Sequence, residues 1–287
     1  MKLYMSTQTQ RPPNPTPATK SLLSPPTGPL FIARFAPLAV GGWYIVDPKP
    51  LDATVANAFD IFMDSPASHA CMTEAVVASG AFVFWIALFS LYSYRRTGDE
   101  AAISWTKLEN ASEWFNPLAS YLISIFLYHQ IHPHPAMPQE SISFSHLAIE
   151  VATGIFLYDV LMYPLHYLMH NFGPMKKFHH YHHRSSVVHP VETVQHSYVD
   201  GVLQVVVNVL VQQVTPFGGQ KHILSRLAHN VLITYLLTES HVSAEPPWAS
   251  YKLWPELFSG RHRKHHEGGG GGYQQFGCWI DDLFIKS

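Results

Sequence analysis

Apolar positions along this 287-residue chain gather into separate runs. From Ala75 to Tyr94 no charged side chain interrupts the run. At about 1.5 Å rise per residue, a helix of that length crosses a hydrocarbon core of ~30 Å, so the segment predicts a transmembrane helix. Five further stretches are apolar but shortened or broken by polar groups: Pro29 to Val46, Asn116 to Ile131, His146 to Leu165, Val199 to Val214 and Ile223 to Ser240. Each reads as a membrane-embedded helix or a buried core helix. The pattern predicts an all-α membrane protein with about four to six transmembrane or membrane-embedded helices and a cytosolic helical cap. Glu150 and Asp159 fall inside one of these runs, where a carboxylate facing lipid is costly, so both are expected to face the bundle interior.

The first 27 residues are rich in Pro, Thr and Ser and lack the apolar core of a secretory signal, which predicts a disordered, cytosolic tail. The expected organisation is therefore a tail over 1–27, membrane helices over 28–145 and a histidine-bearing catalytic domain over 146–287. Charged residues make up 13% of the chain against 47% hydrophobic, low for a soluble protein. Two cysteines, Cys71 and Cys278, leave no material for an iron–sulfur cluster or a disulfide framework. A net charge of −2 argues against nucleic acid as a partner.

Histidine changes the picture. Fourteen of the 19 lie between His166 and His266. They include His166-xxx-His170, His179-xx-His182-His183, the isolated His241, and His262-xx-His265-His266. Residues three and four apart share a helix face, so each cluster can aim its imidazoles at one point. Imidazole suits iron, zinc, copper and nickel, and nine such ligands are too many for one ion, which points to two metals. His180 lies off the shared face and is expected to be a neighbour rather than a ligand. His69, His129, His146 and His222 read as ordinary interior or interfacial residues.

From about Asp159 to Phe284 these motifs resemble the fatty acid hydroxylase/sterol desaturase superfamily of membrane-bound non-haem di-iron oxygenases. Asp159 and Tyr163 stand where the family places an acidic residue and a tyrosine before the first histidine motif. Lys176, Phe178, His179, His182 and His183 match the second. The stretch from His241 to Trp248 aligns in part with a third element. His262, His265 and His266 are followed by Tyr273 and by Trp279-Ile-Asp281-Asp-Leu-Phe284, similar to the family's terminal segment. Tyr167 and Pro164 depart from the usual residues, Pro164 predicting a kink before the ligands, and the run Gly268 to Gly272 is unusual. The resemblance implies His166, His170, His179, His182, His183, His241, His262, His265 and His266 as ligands to two iron ions, with catalytic roles for Asp159 and Tyr163. For Asp159, position alone leaves two roles open: a helix-packing hydrogen bond, or a carboxylate that fixes the tautomer of a ligand imidazole.

Charge placement bears on topology. Arg95 and Arg96 follow the clear apolar helix and mark its cytosolic end by the positive-inside rule. Counting helices from there returns every histidine motif to that same side. The expected location is the endoplasmic reticulum membrane, multi-pass, with the histidines facing the cytosol. The chemistry implied is O2-dependent hydroxylation or desaturation of an unactivated lipid C–H bond. No dinucleotide-binding or haem-attachment motif is present in the sequence, so electrons from NAD(P)H must come through a separate donor, which the resemblance gives as cytochrome b5 with its reductase. Lys176, Lys177, Arg261, Arg263 and Lys264 could steer that acidic partner or contact lipid headgroups. Pro247-Trp248 and His189-Pro190-Val191-Glu192 favour a sterol or terpenoid substrate. A fatty acyl, sphingolipid or specialised-metabolite substrate stays open, as do a non-oxygenase membrane zinc protein and an inactive lipid-binding relative.

Overall fold

The computed structural model describes residues 29–69, 72–106, 115, 118–119, 122–124, 126–127, 140–184, 187–268 and 271–284. The expected tail and most of the stretch from Asn116 to Ile131 lie outside them. Among the described residues every regular element is helical. The helices are α1 (Pro29–Val46), α2 (Lys49–Met63), α3 (Thr73–Thr97), α4 (Phe144–Asn171), α5 (Gly173–His179), α6 (Tyr198–Gln212), α7 (Ile223–Glu239), α8 (Ser250–Leu253), α9 (Arg261–His266) and α10 (Trp279–Phe284).

Two of these, α3 and α4, are long and apolar enough to cross a membrane, while Ile32–Val46 and α6 are apolar but shorter. Helix α3 ends where Gly98 takes the left-handed conformation (φ 72°) and its N–H caps Tyr94 O. Helix α4 begins at Ser143, whose hydroxyl accepts from His146 N at 3.2 Å, and runs unbroken through Pro164 to the first histidines. Ile149, Phe156, Leu161 and Leu168 of α4 are exposed, as suits a face turned to lipid. Glu150 and Asp159 are buried on the other side, as their cost in lipid requires.

Helix α7 is the centre of the bundle. Its Ile233, Leu236 and Leu237 pack with Tyr158 and Met162 of α4, Val207 and Val211 of α6, and Phe276 of the C-terminal loop. Because α7 is wrapped by its neighbours, it can bury Arg226, His229, Asn230, Thr234 and Thr238 without exposing them to lipid. Contacts along its length fix the directions of the other helices. Glu74 pairs with Arg226 at 2.9 Å, Trp85 Nε1 donates to Val231 O at 3.1 Å, and Tyr92 packs edge-on against Trp248. Helices α3 and α7 therefore run parallel. In α4, Glu150 meets His222 and the chain reaches the histidines at its other end, so α4 runs parallel to both. Helix α6 is antiparallel: Asp200 contacts His179 and Gln212 contacts Arg226 O. The consequence is that Arg95, Arg96 and all the histidine motifs share one end of the bundle.

Candidate metal centre

The nine predicted ligands converge. His166, His170, His179 and His183 form one group and His182, His241, His262 and His266 a second, the ligand atoms of each lying within 4.8 Å of one another. His265 joins the first group, its Nε2 2.9 Å from that of His170. The rings of His183 and His266 stack at 4.0 Å and link the groups. Helical spacing produces this directly: His166 and His170 are one turn apart at the end of α4, and α9 carries all three histidines of the last motif. His179 closes α5, and the turn after it turns His182 and His183 back toward α4. His241 follows α7. His180 is exposed and belongs to neither group.

Second partners orient the rings. His166 Nδ1 donates to Tyr273 O at 2.9 Å, His182 Nδ1 to Gln195 O at 3.2 Å, His241 Nδ1 to Leu237 O at 2.7 Å, and His179 Nδ1 to the Asp200 carboxylate at 2.8 Å. Each Nδ1 therefore carries the proton, and each Nε2 presents a lone pair. The Nε2 atoms of His182 and His241 face each other at 3.2 Å. Two lone pairs at that distance repel unless a cation lies between them, so the donor set fits a metal. Burial holds the imidazoles of His182, His262 and His266 far below their usual pKa and brings His241 to about 4. They are neutral near pH 7, the form that ligates.

Asp159 does not touch an imidazole. Its carboxylate accepts from Gln274 Nε2 at 2.6 Å, Phe276 N at 2.8 Å and Gly277 N at 3.0 Å, so of the two roles left open it takes the packing one. The loop 273–277 is pinned from its other side by Asp281, which accepts from Tyr273 N at 3.0 Å and Gln274 N at 3.2 Å. That loop supplies the carbonyl on His166. The imidazole-binding carboxylate is Asp200, which the motif reading missed. Its signal was present: Ser197 and Asp200 stand three apart at a helix start, and Ser197 Oγ accepts from Asp200 N at 3.2 Å. Tyr163 is half-buried and packs against Phe284 with ring centres 6.0 Å apart, outside both groups.

Of the basic residues, Arg261 is paired with Asp282, and Arg263 with Glu245 and Glu267. Lys176, Lys177 and Lys264 are exposed. Below the histidines, a cavity is lined by Phe82, Tyr158, Val205, Ile233 and Leu237 on its apolar walls and by His196, Gln204, Asn208 and Thr234 on its polar side. The ring centre of His196 lies 5.9 Å from that of His182, placing the cavity next to the second group.

Residues 151–285 match the fatty acid hydroxylase family model. No curated protein and no solved structure matches the chain. That stretch, a little under half of the chain, is the part whose histidine motifs resemble the same superfamily. That family consists generally of oxidoreductases, hydroxylases and desaturases, usually iron-dependent.

Proposed function

We propose that this protein is a membrane-bound di-iron oxygenase that hydroxylates or desaturates a lipid C–H bond with O2. The observation that carries the reading is the convergence of nine imidazoles into two adjacent groups, one beside an apolar-walled cavity inside a bundle with two membrane-length helices. His166, His170, His179, His183 and His265 would hold one ion, and His182, His241, His262 and His266 the other. When bound, the metal pair supplies the electrons and Lewis acidity needed to activate O2 toward an unactivated C–H bond.

The protein's own residues do the rest. Tyr273 O, Gln195 O, Leu237 O and Asp200 keep each Nε2 turned inward. Asp159 and Asp281 hold the loop that carries Tyr273. Phe82, Tyr158, Ile233 and Leu237 exclude water from the hydrocarbon body of a substrate. We read that substrate as a sterol or terpenoid, on the strength of Pro247-Trp248 and His189-Pro190-Val191-Glu192. NAD(P)H electrons would arrive through cytochrome b5 and its reductase, meeting exposed Lys176, Lys177 and Lys264. The reading includes four to six spans in the endoplasmic reticulum membrane, with the histidine end and its cap cytosolic, as Arg95 and Arg96 favour.

The test is metal content and O2 consumption of the detergent-purified protein, supplied with cytochrome b5, its reductase and NADH against a mixed sterol and acyl-lipid panel. Two irons per chain, with one lipid gaining an oxygen atom or losing two hydrogens, is the expected result. Bound metal with no lipid oxidation across the panel would favour a zinc protein or an inactive relative.

A further inference from the structure

The loop 273–277 reaches both histidine groups. Asp159 anchors it through Phe276 N and Gly277 N, and Tyr273 O accepts from His166 Nδ1 of the first group. Two residues on, Gln275 is 4% exposed and turns to the second group, its side-chain amide Nε2 lying 3.3 Å from His262 Nε2. His262 Nε2 is in turn 3.1 Å from His266 Nε2. The amide therefore stands beside the atoms that this group presents to a metal.

The adjacent glutamine is a contrast. Gln274 is tied at both ends, Nε2 donating to Asp159 at 2.6 Å and Oε1 accepting from Ile280 N at 2.9 Å. The Gln275 side chain bonds only at its His262 end among the described residues, so its amide can turn over, exchanging nitrogen for oxygen, without breaking another bond. What His262 Nε2 does decides which atom faces it. A free lone pair there accepts an amide N–H. Once the lone pair is given to an ion, the neighbouring atom faces a dication, which repels an N–H and attracts a carbonyl oxygen.

Spacing and number point the same way. Donors about 2.0–2.2 Å from a shared ion are about 3 to 3.5 Å apart when they occupy neighbouring positions around it, and the Gln275–His262 and His262–His266 separations of 3.3 and 3.1 Å fall in that range. The first group musters five imidazoles and the second only four.

We propose that Gln275 is the fifth donor of the second group, its amide Oε1 binding the ion that His182, His241, His262 and His266 hold. The assignment rests on the two-metal reading above. It makes the two sites unequal, with five nitrogens at the first and four nitrogens and one neutral oxygen at the second. Imidazole suits iron and zinc better than a neutral carbonyl oxygen does, so the second ion is the more easily lost. It also gives the loop a role at both ions, orienting a ligand of one and supplying a ligand to the other.

Cobalt(II) loaded into the purified full chain reads the site with neither O2 nor a lipid substrate. Wild type should take up two ions per chain and show the weak visible absorption of five-coordinate cobalt. Gln275→Leu keeps a similar volume but has no donor atom, and should leave the second ion four-coordinate with visible absorption several-fold stronger. A chelator should then remove one ion about 10-fold more readily and the other as in wild type. Gln275→Glu keeps an oxygen in place and should hold both ions at least as tightly as wild type, with the weak absorption retained. An unchanged spectrum and chelator profile in Gln275→Leu would overturn the proposal. So would tighter binding in that variant, the result expected if the amide merely donates to His262. Should Gln275→Leu fail to fold, Gln275→Glu still decides, because a charged ligand shifts the cobalt bands and slows chelation, and wild-type behaviour in both would count against a ligand. Two cobalt ions in a protein that oxidises no lipid would count against the oxygenase reading alone, whereas no cobalt at all would overturn the metal centre and Gln275 with it.

Discussion

The Asp200 carboxylate lies 2.8 Å from His179 Nδ1, with no exposed side-chain surface. A carboxylate accepting that N–H makes the imidazole more basic and locks its orientation. Asp200→Asn keeps an acceptor and the shape but removes the charge. Metal affinity is expected to fall by roughly 10- to 100-fold with the fold intact. Chelator competition on the purified variant measures this, and wild-type affinity would show that the charge is irrelevant.

Asp159 acts at one remove, through the loop it holds. Asp159→Ala would strand three donors, from Gln274, Phe276 and Gly277, in a buried place. The expected cost is roughly 2–5 kcal/mol of stability, since each buried unpaired donor costs about 1–3 kcal/mol before relaxation. Freed from that anchor, Tyr273 O no longer orients His166. Thermal unfolding in detergent should show the loss, and an unshifted midpoint would mean that water replaces the carboxylate without penalty.

The convergence of the nine histidines was legible in the sequence because helical periodicity needs only short-range spacing, and the i, i+3 and i+4 pattern of His179, His182 and His183 is independent of tertiary structure. So was the shared end of the bundle, through Arg95, Arg96 and the alternation of apolar runs. What spacing could not reveal is which carboxylate meets which imidazole. Asp159 shares a helix with His166, and position alone left open whether it held a ligand imidazole or packed, yet the backbone amides of a loop more than a hundred residues later bind it. Asp200 lies in the first turn of α6, its N–H capped by Ser197, and only the packing of α6 brings its carboxylate to His179. The centrality of α7 was hidden for the same reason: its buried Arg226, His229 and Asn230 read as interruptions of an apolar run, and only the surrounding helices make them interior.

Acid should dismantle the centre. His241 has its folded pKa lowered to about 4 by burial, against about 6.5 in an unfolded chain. Between those values the unfolded state binds a proton that the folded state refuses, so stability present above pH ~6.5 is lost as pH falls toward ~4. His182, His262 and His266 shift in the same direction. Protons also compete with metal for the same lone pairs. Metal release followed from pH 7.5 to 4 should therefore begin below about pH 6.5. Retention of metal at pH 4 would mean that these imidazoles are not its ligands.

His265 and His180 each sit beside another histidine, and the structure separates them. His265 Nε2 lies 2.9 Å from His170 Nε2, whereas His180 is exposed. His265→Ala should lower bound metal toward one ion per chain and abolish turnover while membrane insertion persists, and His182→Ala should do the same through the second group. His180→Ala should leave metal content unchanged. Metal analysis of membrane-extracted variants decides it, and equal loss in the His180 variant would undo the assignment.

The glycine run resolves into positions with different duties. Gly272 has φ 78°, and a methyl carbon there would lie 2.8 Å from Arg261 O and 3.2 Å from His265 Cβ. Gly268 has φ 96° but open space around it. Both positions favour glycine for conformation, which makes alanine cost about 1 kcal/mol or more at either. Only at Gly272 does a side chain collide with the backbone of α9, the helix that presents His262, His265 and His266. Gly272→Ala must push that helix away or shift the Tyr273 carbonyl off His166, so it should cost metal as well as stability. Gly268→Ala should cost stability alone. Thermal unfolding and metal content measured on the pair separate the two effects, and full metal occupancy in Gly272→Ala would show that α9 tolerates the displacement.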